Sequence, residues 1–275
     1  MKNRKVKIAW YGKHFGEEPP LVGNAEQGAG AIFFGGCNLH CVFCQNYQIS
    51  QGDIGREYSI EELADIMLEL ERNGAVTIDL VTPTMWWMQI REAIIIAREK
   101  GLTIPIVWNS NAYEALDILK AMDGLIDVYL PDFKYGDDAV GEKYSGMPRY
   151  SIVAENAIRE MYRQVKNLTL NTFGIVNGGL IIRHMVLPNN IENSYKALEI
   201  IAEINCNITV SLMNQYLPLF GASKFAELGR QVSEEEFVLV SSKMNELGLN
   251  GFIQTEKSAE IFVPDFCLEN PFGKS

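Results

Sequence analysis

No stretch of the 275-residue chain reaches the roughly 18 consecutive apolar residues of a membrane-crossing helix, so no membrane association is expected. The basic opening, Met1-Lys-Asn-Arg-Lys-Val-Lys7, is not followed by a long apolar segment and does not read as a secretory signal. A cytoplasmic protein is the expectation. Positive charge is in short supply. The 24 Lys and Arg residues face 35 Asp and Glu, a net charge of −11. Tight non-specific binding to nucleic acid depends on cations neutralising phosphates, so no nucleic-acid partner is expected. Internal repeats, low-complexity tracts and long linkers are also missing. The length suits one large domain over 1–275, with a core at about 23–254. A paired set of cysteines is lacking as well. There are five, Cys37, Cys41, Cys44, Cys206 and Cys267, three of them within eight residues. An odd, clustered set in a chain of this kind favours metal binding over a disulfide framework.

What the sequence does have is an alternation of short apolar runs and amphipathic helices. Ala31–Phe34 is an apolar run leading into the cysteines. Ser59-Ile-Glu-Glu62 reads as a capping box opening a helix to about Asn73. Strands are then expected at Val76–Val81, Ile104–Trp108, Leu125–Leu130, Leu180–Leu187, Asn207–Met213 and Gly251–Gln254. Helices are expected at Trp86–Glu99, Ala112–Met122, Val153–Val165, Asn193–Ile204 and Glu234–Leu247. Continuously apolar strands separated by helices indicate a parallel sheet buried on both faces. About six βα units are too few for a closed eight-unit barrel. The expected class is therefore α/β, a partial (β/α)6 TIM-like barrel: an open parallel sheet with outer helices. Active sites of such sheets lie at the C-terminal strand ends, which draws attention to the polar residues there.

Cys37-Asn-Leu-His-Cys41-Val-Phe-Cys44 has the spacing C-x3-C-x2-C. Thiolates are soft ligands suited to iron–sulfur clusters, which ordinarily take four of them. Three in a tight loop leave one iron of a four-iron, four-sulfur cluster open to an exogenous ligand. Zinc is the competing reading. It wants a fourth ligand, and His40 is available, although it is awkwardly placed between two of the cysteines.

The stretch Gly35-Gly-Cys-Asn-Leu-His-Cys-Val-Phe-Cys-Gln-Asn46 resembles the cluster loop of radical S-adenosylmethionine (SAM) proteins. It is most similar to the pyruvate formate-lyase activating-enzyme group, in a branch of uncharacterised homologues. Gly23-Asn-Ala-Glu-Gln-Gly-Ala-Gly30 and Gln45-Asn46 fit that branch. The resemblance implies that Cys37, Cys41 and Cys44 bind a [4Fe-4S] cluster and that SAM binds the open iron. One-electron reduction of SAM then gives methionine and a 5′-deoxyadenosyl radical, which abstracts hydrogen. It also implies an electron donor such as flavodoxin or ferredoxin. The substrate would be a glycyl-radical enzyme or another protein, or alternatively a peptide or small metabolite. A non-catalytic iron–sulfur electron carrier is the reading from a different class.

The same resemblance assigns cofactor-binding residues along the strand ends, with Phe43 in the cluster loop among them. The family's second strand normally ends in Gly-Gly-Glu, which holds the SAM amino group. This chain has Val81-Thr-Pro-Thr84 instead, leaving the hydroxyls and carbonyls of Thr82 and Thr84 as acceptors. Asn109-Ser110-Asn111 matches the group's third strand end, and Asp132-Phe-Lys134 matches its D-x-K motif, with Lys134 placed to meet the SAM carboxylate. Arg183 matches an arginine that reaches the SAM ribose or carboxylate, and strand alternation puts His184 on the opposite face. Gln215, in Met213-Asn-Gln-Tyr-Leu-Pro218, stands on the expected adenine side. Asn214–Gln231, rich in loop signals, is a candidate cover for the site. Cys206 and Cys267 are too scattered for a second cluster and read as structural, and the ferredoxin-like insert of many activating enzymes is lacking. No catalytic side chain is singled out.

Overall fold

The computed structural model describes residues 5–254 and 263–273. Among the described residues ten strands form one sheet: β1 (Lys5–His14), β2 (Ala29–Phe34), β3 (Arg56–Ser59), β4 (Ile78–Val81), β5 (Ile106–Ser110), β6 (Val128–Pro131), β7 (Thr169–Leu170), β8 (Val176–Met185), β9 (Thr209–Met213) and β10 (Asn250–Gln254). The order is β10-β9-β8-β6-β5-β4-β2-β1-β3, with β7 paired to β8. From β2 to β10 every neighbouring pair along this path is parallel. Helices cross over between these strands, so the fold is an open α/β sheet of the partial-barrel kind. β1 runs antiparallel to β2 and carries β3 on its far side. Neither β1 nor β3 was expected from the sequence.

Alternation along the strands sorts the side chains. Ile32, Phe34, Ile78, Leu80, Ile106, Trp108, Leu180, Ile182, Val210 and Leu212 join one large cluster with helix residues such as Leu63, Met67, Ile90, Ile158 and Leu198. Their alternating neighbours along each strand face the concave side. There Val107, Val128, Leu130 and Ile181 pack around Leu21, while Ala31, Phe33 and Val81 pack with Ile49 and Phe266. The concave face also receives residues such as Asn109, Arg183 and Met185, and this is what lets strand ends build a site. The segment 263–273 packs against that face through Phe266 and Phe272, whose rings lie 5.4 Å from Phe33.

The first crossover helix, Ile60–Arg72, begins at the expected capping box. Ser59 Oγ accepts from the Glu62 amide at 3.1 Å, and the Glu62 carboxylate accepts from the Ser59 amide at 2.6 Å. The helix expected from Ala112 starts only at Leu116. Asn111 lines the site instead, and Ala112 after it lies in the left-handed region at φ 63°. A further helix, Asp138–Ser145, was not expected. Asp137 caps it, and its C-terminal end supports the cysteine loop.

Candidate active site

β2 delivers the chain to Gly35 and Gly36, and Gly36 adopts φ +87°, which suits the turn into the cysteine loop. The loop is fixed mainly through its backbone. The His40 amide donates to the Ser145 carbonyl at 3.3 Å and the Val42 amide to the Tyr144 carbonyl at 2.9 Å. The Val42 carbonyl accepts from Gly221 at 2.8 Å. Leu39 and Phe43 are buried plugs, and Phe43 packs edge-on against Tyr135 and Tyr216. Cys37, Cys41 and Cys44 line one cavity of about 230 Å³. Cys41 is buried and the other two are half-buried. Burial pushes the Cys41 thiol up to about 12 and raises the Cys44 thiol as well. Among the described residues no three His, Cys, Asp or Glu side chains converge as ligands of a single metal ion do. One zinc ion would draw its thiolates to about 2.3 Å from a common centre. His40 is exposed and its Nδ1 is paired with Gln51.

Each strand then adds to the cavity. Thr82, after β4, lines it and has φ 60°, a costly conformation for a β-branched residue. The Thr82 amide donates to the Asn109 carbonyl at 2.9 Å. Thr84 is not among the lining residues, because its hydroxyl is spent on the buried Glu114 at 3.2 Å. Asn109 and Ser110 of β5 line the cavity, as do Asp132 and Lys134 after β6, Arg183 of β8 and Gln215 after β9. Phe43 is in the lining too. Eight of the nine cofactor-binding residues expected from the sequence are thus brought together, and Thr84 is left behind the strand.

The charged members form a chain across this site. Lys134 Nζ lies 2.7 Å from Asp132 Oδ2, and Asp132 Oδ1 accepts from Arg183 Nε at 3.0 Å. Arg183 Nη1 donates to Glu17 Oε2 at 2.8 Å, and Glu17 Oε1 lies 3.6 Å from His14 Nε2. Arg183 Nη2 also donates to Asn109, whose amide donates to Asp79 at 3.2 Å. Burial works against the charge on both Asp132 and Lys134. Their mutual attraction outweighs it, so the Asp132 pKa is lowered and that of Lys134 raised. Arg183, expected as a cation for SAM, is already engaged by two carboxylates. His14 is held neutral, its pKa lowered to about 4 by burial and by Arg183. His184 faces away, bonded to the Phe133 carbonyl at 2.7 Å and to Ser194 at 2.9 Å.

His14, Glu17, Phe33, Met185 and Phe272 also line the cavity, and none was singled out from sequence. Glu18 and Asp79 lie fully buried in the same acidic group, each with one carboxyl oxygen unpartnered among the described residues. Asp79 carried a readable signal, a carboxylate inside the apolar run Ile78–Val81. The residues from the N-terminal strand carried none, since they stand outside the βα rhythm. The candidate cover, Asn214–Gln231, brings Gln215 to the cavity lining. It packs on the cysteine loop through Gly221 and Tyr216, while Pro264 and Phe272 flank the cavity. Cys206 and Cys267 are both exposed, so neither is the packed structural cysteine expected.

One open, mostly parallel sheet thus carries three thiols and a set of polar strand-end residues around one cavity. The family model of the radical SAM superfamily matches residues 31–214, and the chain belongs to that superfamily. Members use a [4Fe-4S] cluster and SAM, and these are the cofactors of this chain. An uncharacterized protein of Methanocaldococcus jannaschii is 30% identical over 245 residues, covering 84% of this chain and 66% of its own length. A second uncharacterized protein of that organism is 30% identical over 96 residues, 34% of this chain and 28% of its own. The chain thus spans less than two thirds of either relative. Among solved structures, Streptococcus suis SuiB bound to S-adenosylmethionine matches with TM-score 0.53 and 15% identity, over 80% of this chain and 45% of that one. Native anSMEcpe with bound AdoMet and Cp18Cys peptide matches with TM-score 0.54 and 13% identity, over 79% and 60%. At these identities the likeness is one of fold. No helix of the described residues is long and apolar enough to cross a membrane.

Proposed function

We propose that Cys37, Cys41 and Cys44 would hold the cluster, each giving one thiolate to an iron, at the cavity they line. When bound, the cluster and SAM supply reductive cleavage to methionine and a 5′-deoxyadenosyl radical, and the reaction is hydrogen abstraction. The chain's own residues orient and shield. Lys134 uses one of its three donors on Asp132 and stands in the cavity lining, so it is the cation for the SAM carboxylate. Asn109, Ser110 and the Thr82 backbone offer acceptors where the Gly-Gly-Glu motif is lacking. Gln215 and Phe43 line the same cavity and would border the adenine. Arg183 holds Asp132, Glu17 and Asn109 in place. Phe33, Met185 and Phe272 form an apolar wall that keeps water and stray hydrogen donors away.

The observation that carries this reading is the convergence of three thiols with strand-end residues from β4, β5, β6, β8 and β9 on one cavity. Pro264 and Phe272 flank that cavity, which favours a small metabolite or a peptide side chain over the backbone loop of a glycyl-radical enzyme. We read the whole chain as one domain working in a reducing cytoplasm, with flavodoxin or ferredoxin as reductant. Iron analysis after anaerobic reconstitution tests the ligand assignment. About four irons per chain are expected in wild type and in a Cys206→Ala, Cys267→Ala double variant. Cys37→Ala, Cys41→Ala or Cys44→Ala should each lose the cluster. Its loss from the double variant would overturn the assignment.

A further inference from the structure

Each of the three thiols has a hydrogen-bond donor from outside the cysteine motif. Cys41 Sγ accepts from Ser145 Oγ at 2.9 Å, and Cys44 Sγ lies 3.3 Å from Ser50 Oγ. Asn111 Nδ2 approaches Cys37 Sγ at 3.4 Å, but it sits closer to Asn38 Oδ1, at 2.7 Å, so its donation to sulfur is the weakest side-chain one. The contact at Cys41 is the most developed. Ser145 is fully buried, and its hydroxyl lies 2.6 Å from that of Tyr135, also fully buried. With Ser145 donating to sulfur, Tyr135 donates to Ser145, and the two hydroxyls form a relay inside the apolar core that ends on the ligand. Burying two hydroxyls there is unfavourable unless both are paired, and the pairing runs to Cys41. The loop does not need this contact for its position. His40 and Val42 are already anchored by the carbonyls of Ser145 and Tyr144.

Hydrogen bonds to thiolate sulfurs are one of the levers that set the potential of an iron–sulfur centre. A donor favours the more negative, reduced form, because reduction adds one electron from the external reductant and the added charge is shared with the sulfurs. We propose that the Tyr135–Ser145 relay raises the reduction potential of the cluster through Cys41, with Ser50 acting in the same sense through Cys44. This rests on the reading that these cysteines hold the cluster. Ser145 and Tyr135 touch neither SAM nor substrate on that reading, so their effect is one of tuning.

The test is an anaerobic redox titration of the reconstituted full-length protein, followed by the spectrum of the reduced cluster, with iron per chain measured alongside. In Ser145→Ala the ratio of reduced to oxidised cluster at a fixed poise should fall about tenfold, a shift of about 59 mV to lower potential for a one-electron couple. Tyr135→Phe keeps the Ser145 donor and should shift the potential the same way by less. Ser50→Ala supplies an independent lowering should Ser145→Ala fail to fold. Iron content should stay at the wild-type value in every folded variant. A wild-type chain that takes up no four-iron cluster would overturn the reading beneath this inference. A wild-type chain that holds one, with a potential that neither Ser145→Ala nor Ser50→Ala moves, would overturn the inference alone.

Discussion

Lys134 and Arg183 look alike as cations near a cofactor, yet their surroundings assign them different work. Arg183 is held by Asp132, Glu17 and Asn109, and removing it would leave the nearly buried Glu17 carboxylate without its cation, while Asp132 keeps Lys134. Breaking a buried pair in this way costs about 3–5 kcal/mol. Arg183→Ala should therefore appear first as a large loss in denaturant unfolding. Among the described residues Lys134 Nζ has one side-chain hydrogen-bond partner, Asp132, which keeps Arg183 when the lysine is gone. Lys134→Ala should leave the cluster intact and weaken SAM binding by roughly 10- to 100-fold, as expected for one charge-assisted hydrogen bond of about 1.5–3 kcal/mol. Anaerobic SAM titration against the cluster spectrum reads this out. Wild-type affinity in Lys134→Ala would move the carboxylate to other partners, such as Asn109 or Ser110.

The strand-end turns show what an element gives up to serve a site. Thr82 leaves β4 with φ 60°, where a β-branched side chain is strained, and its amide is tied to the Asn109 carbonyl. Thr82→Gly should relieve about 1–3 kcal/mol of that strain and raise thermal stability. Its SAM affinity should not improve, since glycine restores flexibility to an acceptor that the threonine holds in place. These turns also mark where reading the sequence succeeds and where it stops. The βα rhythm was legible because most parallel strands carry an apolar run and the crossover helices have a periodic face, as in Ile60–Arg72 after its Ser59 cap. The delayed start of the helix at Leu116 was not, because Ala112 and Asn111 obey the site rather than helix propensity. Lys134 and Asp132 were legible from their motif and are paired. Glu17 and His14 were not, since antiparallel β1 brings them to the cavity only through a long-range pairing with β2. Thr84 misled because its hydroxyl has a competing acceptor, Glu114, thirty residues away in sequence.

Across the whole molecule, the buried acids give the stability a defined dependence on pH. Burial raises the pKa of Glu18 and of Asp79 in the folded chain, with Arg183 opposing it in both. Such groups ionise less readily in the fold than in the unfolded chain, where they do so above about pH 4. Their contribution is therefore fully present below the unfolded pKa and is lost as pH rises through the folded one. Glu18→Gln with Asp79→Asn removes this penalty, so the double variant's advantage over wild type should grow between pH 5 and pH 8 in anaerobic denaturant titrations. A constant difference across that range would show the carboxyls to be neutralised some other way. Asp132 acts in the opposite direction. Burial would raise its pKa, but Lys134 and Arg183 lower it, so its contribution is present above the unfolded pKa and lost as pH falls through the folded one.

On the proposed reading, SAM binds an open iron in the cavity shared by the three thiols, Lys134 and the strand ends of β4 to β9. The most direct measurement is electron paramagnetic resonance of the anaerobically reconstituted, reduced protein before and after SAM is added, with metal analysis on the same sample. The account predicts about four irons per chain and a signal that changes on adding SAM, with the change weakened in Lys134→Ala. A chain that retains only zinc, or one whose reduced cluster gives the same signal with and without SAM, would contradict it.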